Sequence, residues 1–275
     1  MNESHKNANR FSGFAEIYHN SRPACPPYVT GILPRYLGPV NNQDLGRRPH
    51  TVIDLGCGTG LSTMVWQGKA DHIIGVEPSA DMLAAARENL PNIAFVQAFS
   101  DNTGLADGIA DIITCSQSFH WMEPVSTLNE IARLLKPGGV FAAFDCDWPP
   151  LCCSAAAERA NDALFDKYRA IEANNEEFRR AFVQYPKDQH IKNMQASRHF
   201  QLVKEIVFAN TEQSDADRYF AVAAMSQGGI QAVLKKDPTL LEPELSTFRA
   251  AVDRHFGKQT LPIEFCYRMR LGVRL

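Results

Sequence analysis

The sequence predicts an α/β fold: a mostly parallel, seven-stranded sheet with helices on both faces, plus a helical lid insertion. Three observations carry that expectation. Five short apolar or β-branched runs (51–55, 72–76, 93–98, 111–116 and 140–145) alternate with segments whose apolar residues recur at helical spacing, the pattern of successive βαβ units. A glycine-rich turn, Gly56-Cys57-Gly58-Thr59-Gly60, follows the first run directly. Two further strand-like runs, 202–208 and 261–273, bring the count to seven after a long helical stretch.

The elements follow in order. Residues 1–10 read as a disordered tail and 11–18 as a short amphipathic helix. Pro23, Pro26 and Pro27 precede more helix, to about Tyr36, and 38–49 is a turn-rich connector. Beyond the glycine turn, Leu61, Met64 and Val65 sit at helical spacing over 61–68. Ser79 is an N-cap for a helix with Met82, Leu83, Ala86 and Leu90 on one face, stopped by Pro91. Pro124 occupies the first turn of the next helix, with Val125, Leu128, Ile131 and Leu135 on one side, and Lys136-Pro137-Gly138-Gly139 ends it. Residues 146–200 are mainly helical: Ser154 caps a segment with Ala160, Leu164, Tyr168 and Ile171 at helical spacing. A capping box, Ser214-x-x-Asp217, opens a further helix. Pro243 opens the last, with Phe248 and Val252 on its core face and Gly257 as its stop. The expected division is a helical cap segment (1–50), a ligand-binding α/β core (51–146), a helical insertion forming a lid on the substrate side (147–199) and the completion of the core (200–275).

Composition narrows the function. The chain has 275 residues, of which 45% are hydrophobic and 21% charged, ordinary for a globular protein. Net charge is 28 − 31 = −3, which argues against a broadly basic nucleic-acid binder. No apolar run approaches the roughly 18 residues of a membrane helix, and the polar N-terminus lacks a signal-like apolar region. A cytoplasmic protein without membrane or nucleic-acid partners is expected, as a monomer or homodimer, with the polar stretch 172–180 either a solvated face or a dimer surface. Seven cysteines without a C-x-x-C pair read as reduced structural thiols. His190 and His199 are too far apart for a helical metal pair, so no metal is expected.

The site signal is concentrated at the first two strand ends. Glycines at 56, 58 and 60 let a ligand approach the backbone, and Glu77, 23 residues past Asp54, can accept both hydroxyls of a ribose. The spacing is G-x-G-x-G rather than the dinucleotide G-x-G-x-x-G. Asp54 precedes it, where an acid would repel a pyrophosphate and suit an ammonium group. That combination points away from NAD and towards S-adenosylmethionine. Cys57 reads as a small residue that fits the turn. His120-Trp121 lies just past the fourth strand, at the ligand edge of such a sheet, and His120 is either a general base or a pocket-shaping group. Arg268 and Arg270 share a strand face and read as solvated or functional.

The segments VIDLGCGTG, GVEPSADML and LLKPGG resemble the class I S-adenosylmethionine-dependent methyltransferases, which have a Rossmann-like sheet. Within them the chain is most similar to the small-molecule group that includes trans-aconitate methyltransferase, through Phe11-x-x-x-Ala15-x-x-Tyr18-x-x-x-Arg22-Pro23 and Gln117-Ser118-Phe119-His120-Trp121. The resemblance covers residues 11–146. It implies an antiparallel last strand and methyl transfer by direct SN2 displacement to a small polar or acidic metabolite, with S-adenosylhomocysteine as product. It implies a cofactor site of Asp54, Gly56, Cys57, Gly58, Gly60, Glu77, Pro78, Met82, Ser100, Asp101 and Ser116, with Met82 on the adenine unless it is plain core. Asp101 would take the adenine amino group unless it only forms a turn. Tyr18, Arg22, His120 and Trp121 would face the substrate. The alternatives are a nicotinamide-dependent oxidoreductase on a similar fold and a non-catalytic S-adenosylmethionine-binding protein.

Overall fold

The computed structural model describes residues 22–38, 47–176 and 183–275. The tail at 1–10, the helix at 11–18 with Tyr18, most of the 38–49 connector and part of the 172–180 stretch lie outside them. Seven strands form one sheet: β1 (Thr51–Leu55), β2 (His72–Val76), β3 (Ala94–Val96), β4 (Ala110–Ser116), β5 (Leu135–Cys146), β6 (Phe200–Ser214) and β7 (Leu261–Arg274). Their spatial order is β3-β2-β1-β4-β5-β7-β6. β1 to β5 pair in parallel, and β7 runs antiparallel to both β5 and β6. The order reverses at β1, which lies between β2 and β4. The crevice beyond the carboxyl ends of those strands is where open α/β sheets bind ligands.

Successive strand residues point to opposite faces, and here both faces are covered. Val52, Ile112 and Ala142 enter one core, while Ile53, Ile113 and Ala143 enter the other. That is why these strands read as continuous apolar runs. The described helices are α1 (Pro27–Ile32), α2 (Ala80–Asn89), α3 (Pro124–Leu134), α4 (Ala155–Ala173), α5 (His190–Ser197), α6 (Ala216–Phe220), α7 (Gly228–Lys236) and α8 (Glu242–Phe256). Ser79 and Ser154 cap α2 and α4 as expected, accepting from the amides of Met82 and Ala157. Gly257 ends α8 at φ +55°. α4 packs along α8 and touches α7, so it shares a layer with the helices between β6 and β7, whereas α5 packs against α3. No described helix is long and apolar enough to cross a membrane.

Three local expectations are corrected. No regular helix follows the glycine turn, only a 3-10 turn at Met64–Trp66. Ser62, Thr63 and Trp66 are its buried residues, while Met64 is 42% exposed. The Ser62 and Thr63 hydroxyls donate to Asp54, and side chains that bond locally in this way compete with regular helix. Val125 is also solvent-facing, because the first turn of α3 is capped from Glu123 at the surface. Finally, Asp215 caps α6 by accepting from the Arg218 amide at 2.8 Å, so Ser214 is the end of β6 and not the cap.

Glu130 on α3 fastens the loop after β3. One of its oxygens accepts from the Thr103 amide (2.9 Å) and hydroxyl (2.6 Å), and Arg133 donates to both oxygens at 2.7 and 2.8 Å. Burial opposes the charge, but Arg133 and Thr103 outweigh it and bring the pKa down to about 2. A carboxylate whose folded pKa lies below its unfolded value contributes stability above the ordinary range. That contribution is lost as pH falls through the folded value. Glu130→Gln should therefore be less stable at pH 7, and should show a smaller further loss between pH 4.5 and 2 in denaturant melts. Parallel acid profiles for the two proteins would contradict this.

Candidate functional site

The glycine turn is anchored from below and from the side. The Val76 carbonyl accepts the amides of Gly56 (2.7 Å) and Cys57 (3.1 Å), tying the turn to the end of β2. Gly56, Gly58 and Gly60 all have positive φ, at +67°, +55° and +89°. A Cβ on Gly56 would strike Ser118, and one on Gly60 would strike Leu90, whereas one on Gly58 would meet nothing within 4 Å. Two glycines thus serve packing, and the third faces the open crevice. Glu77 stands at its lip, 8% exposed. One carboxylate oxygen accepts from the Gly58 amide (3.1 Å) and the other from the Ser79 amide (2.9 Å). Burial raises its pKa to about 7, against the pull of those two amides.

Asp54 lies behind the turn and is fully buried. Its oxygens accept the hydroxyls of Ser62 (2.6 Å), Thr63 (2.8 Å) and Thr114 (2.9 Å). These bonds clamp the turn from beneath, and Ser62, which also lines the crevice, lies against the carboxylate. Burial raises its pKa despite those hydroxyls. Cys57 is buried at 4% exposure, and burial together with Asp54 and Glu77 pushes its thiol well up, which leaves it inert as a nucleophile.

Two cavities meet at this edge. The smaller, about 50 Å³, lies between the turn (Gly56 to Thr59), Ser62, Ser116 and Gln117 on one side, and residues 22–25 and Tyr267 on the other. The larger, about 430 Å³, is lined by His120, Trp121, Trp148, Phe165, Tyr168 and Lys187, among others. Arg22 and Gln117 line both. Arg22 stacks its guanidinium over the Trp148 ring at 5.0 Å. Gln117 holds φ +55°, a conformation that costs a non-glycine residue free energy and is concentrated at functional sites. Its side-chain amide donates to Cys146 Sγ at 2.8 Å.

Next to His120 lies a buried cluster of charge. Asp145, at the end of β5, is 2% exposed. His120 Nδ1 is 3.0 Å and Lys187 Nζ 3.1 Å from one of its oxygens, and Arg270 lies 3.6 Å from the other. Burial would raise the Asp145 carboxyl, but His120 and Lys187 hold it well below the usual carboxylate range. Arg270 also pairs with Glu205 at 3.1 Å. Its 5% exposure corrects the solvated reading, while Arg268 stays at the surface.

The predicted residues are therefore split by depth. Gly58, Ser116, Arg22, His120 and Trp121 line the two cavities, and Glu77 is joined to them through the Gly58 amide. Met82 is 2% exposed inside α2 and belongs to the core behind the crevice. Pro78 follows Glu77 in the connection to α2, and its carbonyl accepts from Gln97 at 3.2 Å. Ser100 pairs with Thr127 at 3.0 Å, beside Asp101, in the loop that Glu130 fastens. Gln117, Asp145, Lys187 and Tyr267 were not singled out as site residues from the sequence. The first opens the Gln117-to-Trp121 run. The others come together only through strand register and the chain crossing at 183–189. Among the described residues no group of three side chains could hold a metal.

Replacing Asp54 tests the clamp. Asp54→Ala leaves three buried hydroxyls without their acceptor and should lower stability by about 3 kcal/mol or more, read from the midpoint of urea unfolding at unchanged slope. Unaltered stability would show that the turn does not depend on it.

The comparisons agree with this geometry. The methyltransferase-domain family model matches residues 53–143. An uncharacterised methyltransferase of Mycobacterium tuberculosis is 30% identical over 129 residues, 47% of this chain and 49% of the relative. Trans-aconitate 2-methyltransferase of an Azoarcus species is 39% identical over 95 residues, 34% and 37% of the two chains. The chain spans about half or less of the length of these curated relatives. Among solved structures, a chain from Anaeromyxobacter dehalogenans assigned to the type II methyltransferases aligns with TM-score 0.63 at 18% identity, over 92% of this chain and 97% of that one. The YcgJ protein of Bacillus subtilis aligns with TM-score 0.52 at 18% identity, over 83% and 93%. Residues 53–143 are thus similar to the methyltransferase-domain family, and the sheet around them has the fold of these solved neighbours.

Proposed function

We propose that the chain binds S-adenosylmethionine between the glycine turn and Glu77 and passes its methyl group to a small polar or acidic acceptor in the larger cavity. Glu77 carries the reading. Its carboxylate sits at the crevice lip, oriented by the Gly58 and Ser79 amides, with lone pairs left for two ribose hydroxyls. Gly58 leaves open space where a ligand would pass. Asp101 and Ser100 stand at the adenine edge, and Met82 backs it from the core. Asp54 acts indirectly, by shaping the turn. The bound cofactor supplies an electrophilic methyl on a sulfonium. Residues 22–25 close over the smaller cavity from the side opposite the glycine turn. The described part of the 147–199 stretch that lines the larger cavity, chiefly α4, covers the acceptor as a lid together with α7. Arg22, which lines both cavities, favours an acceptor with a negative group. A net charge of −3 suits a small-molecule substrate better than a nucleic-acid partner.

The dinucleotide alternative is disfavoured by local structure as well as by spacing. Pyrophosphate sites use the N-terminus of a regular helix after the turn, and here that position holds a 3-10 turn of three residues.

Two measurements with S-adenosylhomocysteine test the reading. Glu77→Ala should weaken binding more than tenfold, whereas equal affinity would reject the site. Ribose hydroxyls donate to the ionised carboxylate, so binding should strengthen as pH rises through about 7, by up to about tenfold between pH 6 and 8 on simple ionisation. Glu77→Gln should flatten that component of the profile. A wild-type profile identical to that of the Gln variant would contradict the role.

A further inference from the structure

We infer that Asp145 is the positioning residue for His120, and that the methyl acceptor is a proton-bearing nucleophile and not a carboxylate; this rests on the methyl-transfer reading above. Asp145 is almost completely buried, and one of its oxygens lies 3.0 Å from His120 Nδ1 and 3.1 Å from Lys187 Nζ. A buried carboxylate depends on such partners. What surrounds it is charge from five elements: His120 from the 3-10 turn after β4, Lys187 from the crossing at 183–189, Arg270 from β7, Glu205 from β6 and His190 from α5. Asp145 and Glu205 balance Lys187 and Arg270, so the cluster is neutral with a neutral His120. His190 packs edge-on against Phe119 at 4.8 Å between centroids, and burial takes its pKa to about 4, so it adds no charge near neutrality.

The geometry sets the tautomer. A ring nitrogen 3.0 Å from a carboxylate oxygen carries the hydrogen, since an unprotonated nitrogen would set lone pair against lone pair. With Nδ1 protonated, Nε2 carries the lone pair, and His120 lines the acceptor cavity. In the transfer, the acceptor X–H hydrogen passes to Nε2 and its bonding pair stays on X. A pair on X forms the bond to the methyl carbon as the sulfur–carbon pair withdraws to sulfur. The sulfonium becomes a neutral thioether and His120 becomes an imidazolium facing Asp145. A carboxylate acceptor has no proton to give and would leave this pair without a task. Hydroxyl, amine and acidic C–H acceptors all use it.

The test begins with ring-nitrogen NMR of histidine-labelled full chain at pH 8, with His120→Gln assigning the signal. The expected wild-type spectrum shows His120 protonated at Nδ1 and unprotonated at Nε2, and Asp145→Asn shifts it towards the opposite tautomer while thermal melting shows a folded protein. A wild-type His120 protonated at Nε2 overturns the inference, as does an unchanged tautomer in folded Asp145→Asn. The wild-type spectrum decides even if that variant does not fold. An acceptor screen then follows methyl transfer. The acceptor found should bear O–H, N–H or acidic C–H, and His120→Gln should slow turnover by about 100-fold or more. Equal turnover of a carboxylate acceptor by wild type and His120→Gln overturns it. S-adenosylhomocysteine titrated into the same labelled sample separates the two readings: binding with the wrong tautomer removes only this inference, and no binding removes the methyl-transfer reading beneath it.

Discussion

A buried carboxylate beneath the first turn is the constraint on which the ligand edge of this protein depends. Asp54 gathers three hydroxyls from two segments, the 3-10 turn after β1 and the neighbouring strand β4, and so fixes how the chain leaves β1. The Val76 carbonyl does the same from β2. With the turn held on both sides, Gly58 is left facing the crevice, and its amide is placed to orient Glu77. The polar site is therefore built outward from a satisfied internal network, and the residue with the strongest sequence signal supports the site from behind.

The sheet was legible because parallel strands buried on both faces read as unbroken apolar runs, and because Ser79, Ser154 and Gly257 are local signals that need no tertiary context. The 61–68 segment was misread for the opposite reason. Its apolar residues have helical spacing, but the Asp54 hydroxyl network overrides periodicity and buries Ser62 and Thr63 instead. At the site, Gly58 and Glu77 were visible as a strand-end pattern. Asp145, Lys187 and Arg270 were not, since they are 42 and more residues apart in sequence and meet only when β5 and β7 pair with Asp145 opposite Arg268, while 183–189 crosses above them. No local pattern announces such a meeting.

The helical layer adds a second level of organisation. Two stretches of the chain, before and after β6, contribute helices that pack on one another and roof the larger cavity. A roof assembled from separate insertions can change its lining without disturbing β1 or its turn, which is how one α/β framework hosts different acceptors. Its lining here combines aromatic rings with Arg22, Lys187 and acidic side chains.

The central claim is that the crevice between Gly58 and Glu77 takes S-adenosylmethionine. The most direct test is calorimetric titration of the wild-type protein with S-adenosylmethionine, S-adenosylhomocysteine and NADH in parallel. The account predicts saturable one-site binding of the first two with affinities near micromolar, about −8 kcal/mol, and no saturable binding of NADH. A folded sample that binds NADH and neither sulfur compound would contradict it.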